Sequence, residues 1–406
     1  MRNRNIEIRV PSEEELEAFC SAIAVGFGGT GTFEKEDLDS LLKFVGRIEC
    51  WAAYDGERIV GSMGYIDFQT VSHDKRISTA GVTIVTVSPT HRRQGILTRM
   101  MNIAQRDAVD RGYAMASLYA SEPPIYGRFG FGLAFSRENQ KIARSKAVLI
   151  GSHQPEGVVR VADTKAQFAD LQRIFRLAGV ERPGWIDRSD LAWDHRLDDK
   201  EWGRHGDSEL HCAIYYEGEL AQGHVLYRRT GDDRTGLSVD ELLALSRDAE
   251  YALWNYCFGI DLVEEISIRN RPLDDALPWM LRDSRALERV PQDSIWTRIF
   301  DVPAVLESRS YSGAGDLVIE VIDEAGGYAA GTFLLSASRD GATCASTDRS
   351  PDLTMDVAQL GSIAFGGTRP SVLDRAGLIY ENTPGALSKA DGMFATRKAP
   401  WTVVDF

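Results

Sequence analysis

Residues 78–112 constrain the fold of this chain more than any other stretch. STAGVTIVTV (78–87) is a nearly continuous β-branched run, the composition of a central strand covered on both faces. Pro89 ends it. GILTRMMNIAQRDAVDRG (95–112) follows, with Ile96, Leu97, Met100, Met101, Ile103, Ala104 and Ala108 along one face and Gly112 placed to cap the C-terminus. A buried strand turning straight into a long amphipathic helix belongs to an α/β architecture. Hairpin signals elsewhere add antiparallel strands, so mixed α+β sheets are expected.

The flanking sequence fits that expectation. Ser12 and Glu15 have capping-box spacing before the apolar stripe Leu16, Phe19, Ile23 and Phe27, and GGTGT (28–32) breaks that helix. A second helix is expected around Leu38, Leu41, Leu42 and Val45. Residues 50–68 read as a hairpin across Asp55-Gly56, and 113–121 as a further strand. The polar stretch 144–157 is a candidate boundary. Beyond it, 168–179 reads as a helix, 211–229 as a hairpin across Glu217-Gly218, and 240–259 as a second helix. That order repeats the first segment without its Arg-Gly turn and suggests a degenerate second copy. From about Asp293 the pattern changes: a strand leads into a helix over 295–311, then come Gly-punctuated strands and short helical patterns. The chain stops on Phe406. Trp401, Val403, Val404 and Phe406 fit an edge strand, although chain ends tend to fray. The expected domains are 1–150, 151–292 and 293–406.

Length and charge narrow the function. A chain of 406 residues has room for two to four cores. A formal charge of −14 argues against a nucleic-acid partner and favours cationic ones, though many soluble proteins are simply acidic. Cys20, Cys50, Cys212, Cys257 and Cys344 are dispersed without a CxxC pair, which fits neither a disulfide framework nor a zinc site. His195, His205 and His211 lack metal-ligand spacing, so no metal is expected. The first residues are basic but lack an apolar core, and no run of ~18 apolar residues occurs, so neither a signal peptide nor a membrane span is expected. The expected setting is cytoplasmic.

The sharpest chemical signal is VTVSPTHRRQGILTRMM (85–101). A strand, a proline turn, then Arg92, Arg93, Gln94 and Gly95 open the helix that begins Ile96, Leu97, Thr98. Free N–H groups and the helix dipole at such an N-terminus suit a pyrophosphate; Gly95 permits close backbone approach, and the arginines add charge-assisted hydrogen bonds. Neither a P-loop nor GxGxxG is present. The plain alternative is a strand-turn-helix junction with solvated arginines. His91 could touch a phosphate, but a solvated turn residue is the simpler reading. A second signal is LYASEPPIYGRFGFG (118–132), where Tyr126 stands between two prolines and three glycines. A phenol with reference pKa near ~10 keeps its proton at neutral pH and can donate it as a bond breaks. The alternative is an aromatic packed beside Phe129 and Phe131.

The run V-x-V-x-P-x-x-R-R-x-G-x-L resembles motif A of the GNAT superfamily of N-acetyltransferases, with Arg92, Gly95 and Leu97 in its places; Leu97 departs from the small residue usual at the last one. The resemblance implies that Val85, Thr86 and Val87 pair with the pantetheine arm of acetyl-coenzyme A (acetyl-CoA). It also implies that Ser121 and Glu122 border the cofactor, and that Tyr126 protonates the departing thiolate. Together with IWTRIFDVPAVLESRSY, DLTMDVAQLGSIAFGG and the terminal Phe, IYGRFGFG is similar to the enhanced intracellular survival (Eis) family over essentially the whole chain. That similarity implies an N-terminal GNAT domain, a central degenerate GNAT domain and a sterol-carrier-protein-like C-terminal domain. It implies a hexamer, acetyl transfer to primary amines of aminoglycoside- or polyamine-like substrates, and the Phe406 carboxylate as base. An α-carboxylate of pKa near ~3.5 is too weak for a solvated ammonium, but suits the more acidic proton of a zwitterionic tetrahedral intermediate.

Weaker candidates complete the picture. Phe27, Phe33, Glu34 and Glu36 could wall a substrate pocket, and Trp193, Trp202, Trp254 and Trp279 read as core. Two rival functions stand beside acetyl transfer. One is acyl transfer of the N-myristoyltransferase kind; the other is a lipid carrier whose GNAT site is inert, which the intact Arg92–Leu97 turn and Tyr126 disfavour.

Overall fold

The structure, a computed structural model, describes residues 6–73, 75–151, 153–204, 206–338 and 341–406. The basic start of the chain, His205 and the Trp202 side chain lie outside the described residues.

The first segment contains β1 (Ile6–Arg9), α1 (Leu16–Gly26), α2 (Lys35–Val45), β2 (Glu49–Asp55), β3 (Arg58–Ser72), β4 (Lys75–Val87), α3 (Ile96–Asp110), β5 (Met115–Tyr119), α4 (Pro123–Tyr126) and β6 (Gly132–Ala143). The Glu15 carboxylate accepts the Ser12 N–H at 2.8 Å, one half of the expected capping box, at a 3-10 turn that leads into α1. α1 and α2 cover one face of the sheet through Phe19, Ile23 and Val45; α3 covers the other through Ile96, Met100, Met101 and Ala104. That double cover is why the 78–87 run shows little polar alternation.

The middle segment contains β7 (Val158–Ala162), α5 (Phe168–Gly179), α6 (Asp190–Leu197), β8 (His211–Glu217), β9 (Leu220–Thr230), β10 (Gly236–Ala244), α7 (Arg247–Gly259), β11 (Glu265–Arg271) and α8 (Leu277–Met280). The helix expected over 240–259 therefore begins in strand, over 240–244, and is helical only from Arg247. Leu237 and Val239, then Leu242 and Leu243, are buried in a strand interrupted by a bulge between Val239 and Glu241, which disguises the alternation. The helix starts only after Ser246, whose side chain accepts the Ala249 N–H at 3.1 Å.

The last segment starts with β12 (Glu288–Ile299) and continues through α9 (Val302–Glu307), β13 (Gly315–Ile322), β14 (Gly331–Ser338), β15 (Gly341–Ser346) and β16 (Leu353–Asp356). It closes with α10 (Val357–Ala364), α11 (Pro370–Arg375), β17 (Ile379–Glu381) and α12 (Ala386–Phe394).

Among the described residues, one sheet of twelve strands runs in the order β1-β2-β3-β4-β5-β12-β6-β11-β10-β9-β8-β7, and β13 to β17 form a second sheet of five. Its two ends match. Each has antiparallel neighbours up to one parallel pair, β4/β5 and β10/β11, bridged by α3 or α7. Each carries a bulge near the strand that precedes the helix. A duplicated unit is thus visible in topology. β12 lies between β5 and β6, antiparallel to both. α10 packs across β6 and β12, so closely that a Cβ on Gly132 would stand 1.7 Å from the Ala358 carbonyl oxygen.

The tail is neither an edge strand nor frayed. Residues 395–406 run outside both sheets, with a bend at 397–398 and with Trp401, Val403 and Val404 buried. Trp401 donates its N–H to the Pro183 carbonyl at 2.9 Å and its indole Nε1 to the Asn270 carbonyl at 3.0 Å. Asn270 Nδ2 donates to the Thr402 carbonyl at 3.1 Å. Asn270 lies just past Ile268, the last β11 residue paired with β10, so the tail crosses the mouth of the second parallel fork on its way to the first.

Candidate active site

The first fork is where β4 and β5 part. They pair only from Thr79↔Met115 to Gly81↔Ser117, whereas β4 stays paired to β3 as far as Val87↔Gly61. The backbone of residues 82–87 thus has no strand partner on the β5 side among the described residues. A bulge lies within this stretch, with Ile84 at φ 49°, a left-handed value that is costly for a β-branched residue. The buried Ser62 hydroxyl holds it, donating to the Ile84 carbonyl at 2.7 Å. The bulge reverses the side-chain alternation: Ala80 and Val82 pack with α3, Ile84 with α1, then Val85 and Val87 with α3 again. Thr86 is buried, its Oγ1 2.8 Å from Ser62 Oγ. Val85, Thr86 and Val87 therefore present their backbone at the fork while their side chains stay in the core.

The turn after β4 is a second feature of the site. Arg93 and Gly95 both have left-handed backbone, at φ 61° and φ 76°, with Gln94 between them, and Gly95 is the N-cap of α3. Left-handed residues at a helix start turn successive N–H groups to one side, a concavity that binds anions. Arg92, Arg93, Gln94, Gly95 and Thr98 are exposed, and a Cβ on Gly95 would meet no atom within 4 Å. Glycine is needed there for its φ and for approach from outside, not to avoid a neighbour. Ile96 is buried and Leu97 half-buried on the core side of α3. Arg92 Nε donates to the Val87 carbonyl at 3.2 Å, which ties the turn to the strand end. An unpaired strand edge leading to an open N–H concavity fits a pantetheine arm and a pyrophosphate. His91 is neither solvated nor directed at this space: it is buried, with Nε2 3.1 Å from Asp55 Oδ2.

Beyond β5, Ser121 and Glu122 are exposed and Tyr126 is buried on the single turn of α4, its ring 6.2 Å from that of Phe131. Burial pushes the Tyr126 phenol up, opposed by a hydrogen bond with Ser121. Such a phenol keeps its proton. Phe406 packs where the fork begins, its ring 4.8 Å from Phe68 and 5.3 Å from Tyr119. Those two residues flank β4, since Phe68 pairs with Thr79 and Tyr119 lies two residues beyond Ser117.

Sequence reasoning missed the residues that hold the tail. Tyr119 Oη donates to the Val404 carbonyl at 2.8 Å, and Arg137 Nη1 to Asp405 Oδ1 at 3.2 Å. Beside them opens a cleft of about 470 Å³ lined by Tyr119, Ala120, Arg137 and residues 291–294. No local signal could have found this set, because β5, β6 and β12 become neighbours only in the sheet. The segment first expected to wall the substrate pocket contributes none of these lining residues. Phe27 is 65% exposed and Phe33 packs with α1 and α2. Glu34 and Glu36 are exposed. Among the other candidates, Trp193 and Trp254 are core, but Trp279 is 83% exposed. His195 is exposed, and His211 stacks on Tyr227 at 5.3 Å. Among the described residues no group of three or more His, Cys, Asp and Glu is placed to hold a metal, and no helix is long and apolar enough to cross a membrane.

Comparison with known proteins decides the family. Family models described as acetyltransferase (GNAT) domains match residues 7–134 and 184–299, and a sterol carrier protein domain matches 302–403. N-acetyltransferase Eis of Mycobacterium tuberculosis is 33% identical over 360 residues, 86% of this chain and 87% of that protein. The chain belongs to the Eis family of GNAT acetyltransferases. An uncharacterized N-acetyltransferase of Streptomyces coelicolor is 34% identical, covering 98% of both chains. The crystal structure of Eis1 from Mycobacterium abscessus superposes with a TM-score of 0.83 at 30% identity, over 99% of this chain and all of that one (100%). As an Eis-family member the protein is an acetyltransferase, and GNAT enzymes use acetyl-CoA as donor.

Proposed function

We propose that this enzyme moves acetyl from acetyl-CoA to primary amines of small cationic acceptors of the aminoglycoside or polyamine type. In this reading Val85–Val87, the turn Arg92–Thr98, and Ser121 and Glu122 hold the donor. Tyr126 is the general acid and the Phe406 α-carboxylate the base. The observation that carries it is the tail: a chain terminus is drawn past two other segments and seated at the root of the fork. The thioester supplies the electrophilic carbonyl. As the acceptor nitrogen bonds to that carbon and the C–S bond breaks, Tyr126 supplies a proton to the sulfur. The nitrogen proton, acidified by the new bond, goes to the terminal carboxylate, directly or through water. The overall charge of −14 favours a cationic acceptor.

The test is thiol release from acetyl-CoA with a multiply aminated aminoglycoside and, separately, with spermidine. Amine-dependent release with saturable acetyl-CoA binding by calorimetry is expected. Donor binding with no release on either amine would remove the acceptor class, and no donor binding would favour the inert-site carrier.

A further inference from the structure

We infer that Tyr119 and Arg137 are positioning residues that fix the end of the chain, and so place the Phe406 carboxylate at the fork. The inference rests on the reading of that carboxylate as the base.

Each of the two residues before Phe406 has its own anchor. Tyr119 is the last residue of β5; its hydroxyl donates to the Val404 carbonyl at 2.8 Å, and its ring lies 5.3 Å from that of Phe406. Arg137 comes from β6, on the far side of β12 from β5, and lays its guanidinium 5.3 Å from the Tyr119 ring centroid. From there Nη1 reaches Asp405 Oδ1 at 3.2 Å. One anchor holds the main chain, the other the penultimate side chain, and the stack ties the two anchors together. Without them the last three residues would keep the freedom usual at a chain end, and a base must lie within hydrogen-bond reach of its proton.

Two details point to positioning rather than to general stability. The side chain of Asp405 is 71% exposed, so its pair with Arg137 contributes little to folding. Arg137 reaches the tail from β6, across β12, and its Nε meets no hydrogen-bond partner among the described residues. Burial, and then the charge of Asp405, hold the Tyr119 phenol well above its ordinary range, so it remains a donor throughout the working pH range.

The experiment compares Tyr119→Phe, Arg137→Gln, Arg137→Lys, deletion of Phe406, and Arg137→Gln combined with that deletion. Steady-state kcat, acetyl-CoA affinity and Tm are read for each. Tyr119→Phe keeps the ring and removes only the donor, so kcat should fall about fivefold, the effect of one ordinary hydrogen bond. Arg137→Gln should lower kcat about tenfold through misplacement of the base, with donor affinity unchanged, and Arg137→Lys should recover part of it. On top of the Phe406 deletion, Arg137→Gln should cost nothing further, because the group it places is gone. Wild-type kcat in both Tyr119→Phe and Arg137→Gln, with the deletion inactive, overturns the positioning role and leaves the base reading intact. A tenfold effect of Arg137→Gln that persists in the deleted protein overturns it too, since the residue then acts elsewhere. Full activity of the deleted protein overturns the base reading itself. If Arg137→Gln lowers Tm sharply, Tyr119→Phe and Arg137→Lys carry the test.

Discussion

Tyr126 stands out in the sequence among prolines and glycines, its role as acid is what the resemblance to GNAT enzymes implies, and the fold buries its phenol. Burial raises its phenol, so the group is protonated at neutral pH and, in the proposed reaction, has a proton to share with the sulfur as negative charge develops there. Tyr126→Phe is expected to retain acetyl-CoA affinity and to lose roughly 10²–10⁴-fold in turnover, measured as thiol release. Wild-type turnover would make Tyr126 a packing residue. Other single residues were less legible. His91 reads as a turn residue, yet Asp55 draws it into the interior. Trp279 reads as core, yet stands in solvent at the end of a four-residue helix. Type and neighbours in sequence say little about such positions, because burial there is set by segments far away along the chain.

At the scale of elements, the strand-turn-helix from Lys75 to Asp110 was legible to within three residues at each boundary, since β-branched run, proline and helical stripe mark its three parts. The bulge at Ile84 was not, because apolar residues on both faces hide a change of alternation. The same effect hid β10, whose bulge let LLAL pass for the start of a helix. The turn carries a prediction. Gly95→Ala should cost about 1 kcal/mol in stability, because φ there is 76°, and should weaken acetyl-CoA binding moderately. Gly95→Glu should abolish binding, by placing a side chain and a negative charge at the mouth of the concavity, with the circular dichroism spectrum unchanged. Normal donor affinity in Gly95→Glu would show that the phosphates lie elsewhere.

For the whole molecule, the order of segments and the second GNAT copy were readable, but the tail's route was not. Its anchors, Pro183, Asn270, Tyr119 and Arg137, come from three separate stretches and are brought together by the tertiary fold. α10 sits closely on β6, the strand that carries Arg137, and on β12, the neighbour of β5 and Tyr119. Gly132→Val should drive that contact apart and lower both Tm and kcat, although Gly132 lies outside the proposed chemistry. An unchanged Tm would mean that the interface has room to adjust. Net charge acts at this scale as well. Raising ionic strength beyond the point where the Debye length is ~8 Å should lower kcat/KM for a polyamine more than for a monoamine. Equal sensitivity would make the charge incidental to capture. The central claim is that the chain's own end is the base, and deletion of Phe406 tests it most directly. The new terminal carboxylate, on Asp405, is withdrawn by up to ~3.3–3.6 Å, too far for direct proton transfer. If the terminal carboxylate is the base, kcat should fall about 10²-fold or more, with unchanged acetyl-CoA affinity and a wild-type far-UV spectrum. Full activity with an unchanged pH profile would contradict it.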